Sequence, residues 1–203
     1  MDTRQLRETY RRFAPWYDLA EALPEALGVR RLRRRLLAQA SGLVLEVAAG
    51  TGKNFRFYRP GRPVLAVDLS REMLERARQR ARRLERPYRF AVMDAQQLGF
   101  RDGSFDTVVS TLSTCTFPDP IQALREMSRV CRPDGRILLV EHGRSERGWA
   151  ARYQDRRAEA HERMIGCRWN REPLELVRQA GLQIVRADRR FLGVFHSIEA
   201  RPR

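Results

Sequence analysis

Leu43-Val44-Leu45-Glu46-Val47-Ala48-Ala49-Gly50-Thr51-Gly52-Lys53-Asn54 is an apolar run that meets an acid and then breaks into small residues. Such a run bounded by glycine reads as a buried parallel strand, and the small residues beyond it let backbone amides close on a ligand before a helix begins. The spacing is neither G-x-G-x-x-G nor G-x-x-x-x-G-K-[ST], since Lys53 is followed by Asn54; a dinucleotide fingerprint and a phosphate loop are both excluded. Pro63-Val64-Leu65-Ala66-Val67-Asp68 repeats the pattern, a second strand closing on an acid. Asp68 follows Glu46 by about 20 positions, the separation at which a Rossmann-like unit sets a carboxylate on ribose hydroxyls.

Outward from these strands the same grammar continues. Tyr88 to Ala95 predicts a third strand with Asp94 near its end, and Phe105 to Thr111, introduced by Asp102-Gly103-Ser104, a fourth. Ser70 caps a helix begun by Glu72, Met73 and Leu74, while Asp119 and Pro120 open another from Ile121 to Val130. Arg129 to Arg136 then turns into a strand from Ile137 to Val140 that ends at Glu141-His142-Gly143. Strand ends on this side of an open parallel sheet form the ligand crevice, which places Ser110 to Thr116 along it. Pro173 to Gly181 predicts a capped helix, and Gln183 to Val185 with Gly193 to Ile198 a closing antiparallel pair.

Upstream, Thr3 to Asp18 predicts an amphipathic helix, with Leu6, Tyr10, Phe13 and Tyr17 three or four apart, Arg4, Arg7, Arg11 and Arg12 beside them, and Pro15 as a kink or stop. It suits either an interfacial helix or packing over the body of the domain. Glu21 to Gln39 reads as one basic helix, with Leu23, Leu27, Leu32, Leu36 and Leu37 among Arg30, Arg31, Arg33, Arg34 and Arg35. Phe55 to Tyr58 starts a helix that Pro60-Gly61 soon ends.

The order acid-x-small-x-Gly-x-Gly in Glu46 to Gly52 resembles motif I of the class I S-adenosylmethionine-dependent methyltransferases, and Arg129-Val130-Cys131-Arg132-Pro133-Asp134-Gly135 resembles a later recurring turn of that family. The chain departs from the pattern at Ala48, where the family more often has Gly. The resemblance covers half the chain and implies an α/β, Rossmann-like class I methyltransferase fold. That is a mostly parallel seven-stranded sheet with helices on both faces and an N-terminal helical lid. It divides the chain into the lid, 1–40, and a cofactor-binding domain, 41–203, with a substrate-side insertion at about 144–170. It also implies S-adenosylmethionine as cofactor. Glu46 would face the methionine moiety, Gly50 and Gly52 would approach through their backbone, and Asp94 and the Ala95 amide would meet the adenine. Met73 would pack on the adenosine or serve as a core methionine. Tyr17, Ala48, Thr51, Leu69, Thr111 and Leu112 complete the expected contacts.

Gly166-Cys167-Arg168-Trp169-Asn170-Arg171 resembles the Gly-Cys-x-x-Asn-Arg signature of bacterial phosphatidylethanolamine N-methyltransferases and related membrane-associated thiol methyltransferases, and the Gly50 to Tyr58 loop and Glu141-His142 agree with that subgroup. This implies a phospholipid N-methyltransferase converting phosphatidylethanolamine toward phosphatidylcholine, with a thiol or quinone-precursor methyltransferase as the alternative. Tyr17, Glu141 and His142 are then expected at the chemistry, with Glu141 holding a cationic substrate and His142 relaying a proton, unless both only anchor the lid. Tyr10, Trp149, Tyr153, Arg168, Trp169, Arg171 and His196 are expected at the acceptor. Aromatic faces would hold a methylated cation, and Arg30, Arg33, Arg168 or Arg171 the lipid phosphate.

At 203 residues the chain fits one domain with a small lid. A net charge of +15 invites an anionic membrane surface or a nucleic acid, although Lys53 is the single lysine among 40 basic residues and arginine bias explains part of the excess. No separate RNA module stands in the sequence, which weighs against a nucleic-acid partner or an RNA methyltransferase. Cys115, Cys131 and Cys167 are widely spaced and lack C-x-x-C or histidine spacing, the pattern of ordinary thiols in a reducing compartment and not of a metal site. No stretch nears the ~20 apolar residues of a spanning helix, and Met1 to Tyr10 is too polar for a secretory signal. A cytoplasmic protein peripheral to the inner face of the cell membrane is expected, and a monomer is compatible with the sequence.

Overall fold

The computed structural model describes residues 1–203, the side chain of Leu27 excepted. Its central strands are apolar on both faces because helices bury both. In the strand β5 (Cys131–His142), Ile137 and Leu139 point into one core with Ala123, Leu124 and Met127. Leu138 and Val140 point into the other, with Leu36, Leu37, Ala77 and Ala81.

The remaining strands are β1 (Val44–Val47), β2 (Val64–Asp68), β3 (Arg89–Val92), β4 (Phe105–Thr111), β6 (Gln183–Arg190) and β7 (Phe195–Arg201). They form one seven-stranded sheet in the order β3-β2-β1-β4-β5-β7-β6. The first five run parallel, and β7 is antiparallel to both β5 and β6. The chain leaves β1 toward β2 on one side and returns to β4 on the other. The crevice at this switch point, outside the carboxyl ends of the strands, is where open α/β sheets bind ligands.

The helices are α1 (Thr3–Phe13), α2 (Tyr17–Ala20), α3 (Ala22–Pro24), α4 (Arg30–Leu37), α5 (Arg71–Arg83), α6 (Pro120–Val130), α7 (Gly148–Ile165) and α8 (Pro173–Gln179). Helix α1 opens with a capping box, the Gln5 amide donating to Asp2 Oδ1 at 2.7 Å and the Asp2 amide to Gln5 Oε1 at 3.0 Å. Ser70 and Asp119 cap α5 and α6 as expected.

Helix α1 stops at Phe13 and Tyr17 starts a separate turn, the stop expected at Pro15, which cannot continue the ladder. Two expectations are corrected. The basic helix from Glu21 to Gln39 is broken: a π turn spans Glu25–Val29, and within it Gly28 adopts a φ of 121°, open only to glycine. The turn Arg132 to Gly135 is absorbed into β5 as an irregularity between the Cys131 and Arg136 pairings with β4. A Cβ at Gly135 would lie 2.9 Å from the Asp106 carbonyl oxygen, so this close approach requires glycine.

Leu138 is fully buried at the centre of the sheet, and L138A is expected to cost about 3 kcal/mol through lost transfer energy and a residual cavity. Urea unfolding at unchanged m-value measures it. A cost below about 1 kcal/mol would place Leu138 outside a packed core.

Candidate active site

Asp68, at the tip of β2, organises the crevice. Its Oδ2 accepts the Gly50 amide at 2.8 Å and its Oδ1 accepts the Ser70 amide at 2.9 Å, so one carboxylate ties the loop after β1 to the start of α5. Burial pushes its pKa up to about 6, against the pull of the Ser70, Gly50 and Leu69 amides. Two lone pairs on each oxygen leave acceptor capacity toward the cavity that Asp68 lines.

That cavity opens at the carboxyl ends of the parallel strands, where open α/β sheets bind small molecules. Its floor is the strand tips: Ala48 and Gly50 after β1, Asp68 and Leu69 after β2, Asp94 and Ala95 after β3, Thr111 and Leu112 after β4. Met73 of α5 closes one side, and Tyr10 and Tyr17 cover the top. All eleven were expected cofactor or acceptor contacts. A Cβ at Gly50 would meet only Tyr17 Cε1, at 3.9 Å, so a ligand can approach that backbone closely. Ala48 and Leu112 both hold a left-handed backbone, φ 52° and 53°. Each carries strain of about 1–2 kcal/mol at the cavity edge.

The lid rests on the site directly. Thr3, Leu6, Arg7 and Tyr10, one face of α1, line the cavity, and the Thr3 hydroxyl donates to Asp94 Oδ2 at 3.2 Å. Of these only Tyr10 was anticipated, although the i, i+3, i+4, i+7 spacing carries the signal. Met93, Ser113, Thr116, Phe117 and Pro118 also line it.

Glu46 is placed differently from the expectation. It is buried, accepts from Tyr58 Oη at 2.7 Å and Asn54 Nδ2 at 3.1 Å, and is not on the cavity lining. Burial raises its pKa to about 7 despite those two bonds. Thr51 and Gly52 are likewise behind the loop. The Thr51 hydroxyl donates to Asp18 Oδ1 at 2.7 Å, and a Cβ at Gly52 would strike the Phe55 ring at 2.4 Å.

Residues 45–139 match the model of the methyltransferase domain family. A phosphatidylethanolamine N-methyltransferase from Cereibacter sphaeroides is 35% identical over 73% of this chain and 73% of its own. The chain belongs to the class I S-adenosylmethionine-dependent methyltransferases. Methyltransferase OMS1 of Saccharomyces cerevisiae mitochondria is 29% identical over 99% of this chain, which spans about half (47%) of that protein. The human thiol S-methyltransferase TMT1B is 36% identical over 60% of this chain and 55% of its own. A geranyl diphosphate C-methyltransferase from Streptomyces coelicolor, solved with S-adenosyl-L-homocysteine, shares the fold with a TM-score of 0.69 at 17% identity, over 88% of this chain and 79% of that one. The cofactor of this methyltransferase is S-adenosylmethionine. The cavity suits it: Asp68 and Asp94 offer acceptors for hydroxyl and amino groups, and Leu69, Met73, Met93 and Phe117 offer apolar surface.

At the acceptor end the methyltransferase keeps fewer of the expected groups free. Glu141 is fully buried and accepts from the Ser113 amide and hydroxyl and from the Thr114 amide, at 3.1 to 3.3 Å; burial raises its pKa. It orders the loop after β4 and presents nothing to a cation. His142 Nε2 lies 3.3 Å from Cys167 Sγ. Burial opposes charge on this ring, but the Cys115 sulfur and the Glu141 and Glu21 carboxylates outweigh it and hold the pKa up at about 9. The Cys115 thiol is itself pushed well above its ordinary value by its bond with Cys167 and by burial.

The remaining acceptor candidates are dispersed. Arg171 donates to the carbonyls of Thr114 and Phe117, and Arg33 is buried against Glu25, Asn54 and Thr111, so neither is available to a phosphate. His196 is fully buried opposite Glu141, its ring nitrogens without a hydrogen-bond partner among the described residues, and burial lowers its pKa to about 4. Trp149 and Tyr153 are exposed on α7. Trp169 donates from Nε1 to the Gln154 carbonyl at 2.9 Å and stacks on His161 at 4.2 Å. Arg168 pairs with Glu162 at 2.9 Å. None of these lines the cavity. Glu21, behind the lining, keeps Oε2 without a hydrogen bond but 3.8 Å from the Arg33 guanidinium; burial raises its pKa against the pull of Arg33.

D68N is expected to weaken S-adenosylhomocysteine binding about 10- to 100-fold by calorimetry, in line with the ~1.5–3 kcal/mol of a charge-assisted hydrogen bond. In the wild type the carboxylate is the better acceptor, so affinity should fall as pH drops through about 6. Affinity flat from pH 8 to 5, and unchanged in D68N, would remove Asp68 from the cofactor site.

Proposed function

We propose that the acceptor is the amine of an ethanolamine phospholipid at a membrane surface, converted toward its methylated choline form. The observation that carries this reading is a row of exposed apolar side chains directly after the cavity wall α1. Trp16, Leu19 and Leu23 are 65%, 72% and 67% exposed. Arg11, Arg12, Arg30 and Arg31 flank the row in sequence, and a basic, aromatic margin of this kind suits an anionic interface. No helix among the described residues is long and apolar enough to cross a membrane, so the contact proposed is peripheral, from the cytoplasmic side. The phosphatidylethanolamine N-methyltransferase relative supports the same substrate class.

S-adenosylmethionine, when bound, supplies a methyl group already activated on a sulfonium. The residues of this chain must orient the amine and exclude water. Helix α1 closes the cavity from above and keeps water out. Tyr10 and Tyr17, ring centroids 6.3 Å apart, are kept as neutral phenols by burial, which pushes both well above their ordinary pKa; such faces hold a methylated ammonium better than hydrogen bonds do. Burial of the amine disfavours its charged form, so the ammonium proton leaves to solvent as the lone pair is freed for the methyl group.

In a labelled-methyl assay, vesicles of phosphatidylethanolamine with an anionic lipid should take up label. The triple variant W16A/L19A/L23A should lose lipid methylation by more than about 10-fold while its affinity for S-adenosylhomocysteine stays at the wild-type value. Label entering a small thiol or a quinone precursor, with the lipid blank, would overturn the lipid reading.

A further inference from the structure

Cys115, His142 and Cys167 are far apart in sequence, which argued against a metal set, and three elements of the fold close the gap. Cys115 lies in the loop after β4, His142 at the tip of β5 and Cys167 just past α7. Their ligand atoms all lie within 4.8 Å of one another, and Cys167 Sγ is 3.3 Å from His142 Nε2. A tetrahedral zinc ion bound at about 2.3 Å from sulfur and about 2.0 Å from nitrogen sets its ligand atoms roughly 3.5–3.8 Å apart. The three side chains need little movement to reach that.

Bonds outside the cluster hold it in register. The Arg168 amide donates to the Cys115 carbonyl at 2.9 Å, and His161 Nδ1 is 2.7 Å from the Cys167 carbonyl oxygen. Arg171 binds the carbonyls of Thr114 and Phe117, either side of Cys115. Gly166, in the left-handed conformation at the end of α7, turns the chain so that Cys167 enters the interior. Both sulfurs are buried, at 2% and 7% exposure. Ser113, Thr116 and Phe117, which flank Cys115, line the cofactor cavity, so the cluster stands beside the acceptor end.

We propose that Cys115, His142 and Cys167 bind one zinc ion through two thiolates and one imidazole nitrogen. Filling the site releases both thiol protons and the extra proton of the His142 ring to solvent, leaving two thiolates that neutralise the dication and a neutral imidazole whose nitrogen lone pair binds it. Thiolate and imidazole ligands select zinc against magnesium and calcium. Three protein ligands leave a fourth position for water or another Lewis base, the ligand count of exchangeable centres and not of closed structural ones. The site does not depend on which acceptor is methylated.

The test uses the full chain, purified under reducing conditions, stripped with a chelator and titrated with cobalt(II) and then zinc(II). One equivalent of cobalt is expected to give thiolate-to-cobalt charge-transfer absorption and the intense visible bands of tetrahedral geometry, and one equivalent of zinc to abolish them. C115S/C167S should lose the charge-transfer band, with its thermal transition reporting on the fold. On the wild type alone, zinc should protect Cys115 and Cys167, but not Cys131, from an alkylating reagent mapped by mass spectrometry. A cobalt spectrum that stays that of the aquo ion, or equal alkylation of Cys115 and Cys167 with and without zinc, overturns the proposal even if the double variant does not fold.

Discussion

The Asp68 carboxylate is the interaction on which the rest of the site depends. A parallel sheet covered on both faces leaves its strand tips as the one place where backbone amides face a crevice, and those amides need acceptors. By taking the amides of Gly50 and Ser70, Asp68 fixes the loop after β1 relative to the first turn of α5. The floor of the cavity and the position of Met73 follow from that. The same carboxylate lines the cavity, and its burial raises its pKa to about 6.

A second buried network fastens the lid. Arg33 reaches from α4 to Glu25, Asn54 and Thr111, and Asn54 and Tyr58 hold Glu46. This chain of bonds joins the N-terminal helices, the loop after β1 and the tip of β4. A buried arginine with these three hydrogen-bond partners is costly to break, because each partner would otherwise be stranded away from water. Glu46 thus supports the cofactor site from behind, and its carboxyl, raised to about 7, is held by neutral donors. Asp18, joined to Thr51, Arg80 and Lys53, anchors the lid on the opposite side.

Much of this was legible in the sequence. Acids at successive strand ends, the Ser70 and Asp119 caps and the glycine loop follow from local rules, which set Asp68 and Gly50 at the crevice; the family resemblance added Asp94 and Met73. What escaped depends on helix phase and on tertiary closure. Arg33 is one of five arginines between positions 30 and 35, and only the break at Gly28 decides which of them turns inward. Glu46 ends the same kind of strand as Asp68, yet the bulky Tyr58 and Asn54 take its oxygens. Arg171 and His196 carry functional residue types in buried structural positions. The cysteines and His142 meet only because β4, β5 and the end of α7 converge, which no sequence spacing records.

The account centres on a single cavity in which strand tips hold the cofactor and α1 closes over it. Amide hydrogen exchange with and without S-adenosylhomocysteine tests this most directly. The account expects slowed exchange at residues 48–52, at 68–73, at 94–97 and along 3–17, with β6 and β7 unchanged. Protection confined to other parts of the sheet, or a lid that exchanges at the same rate with and without the ligand, would contradict it.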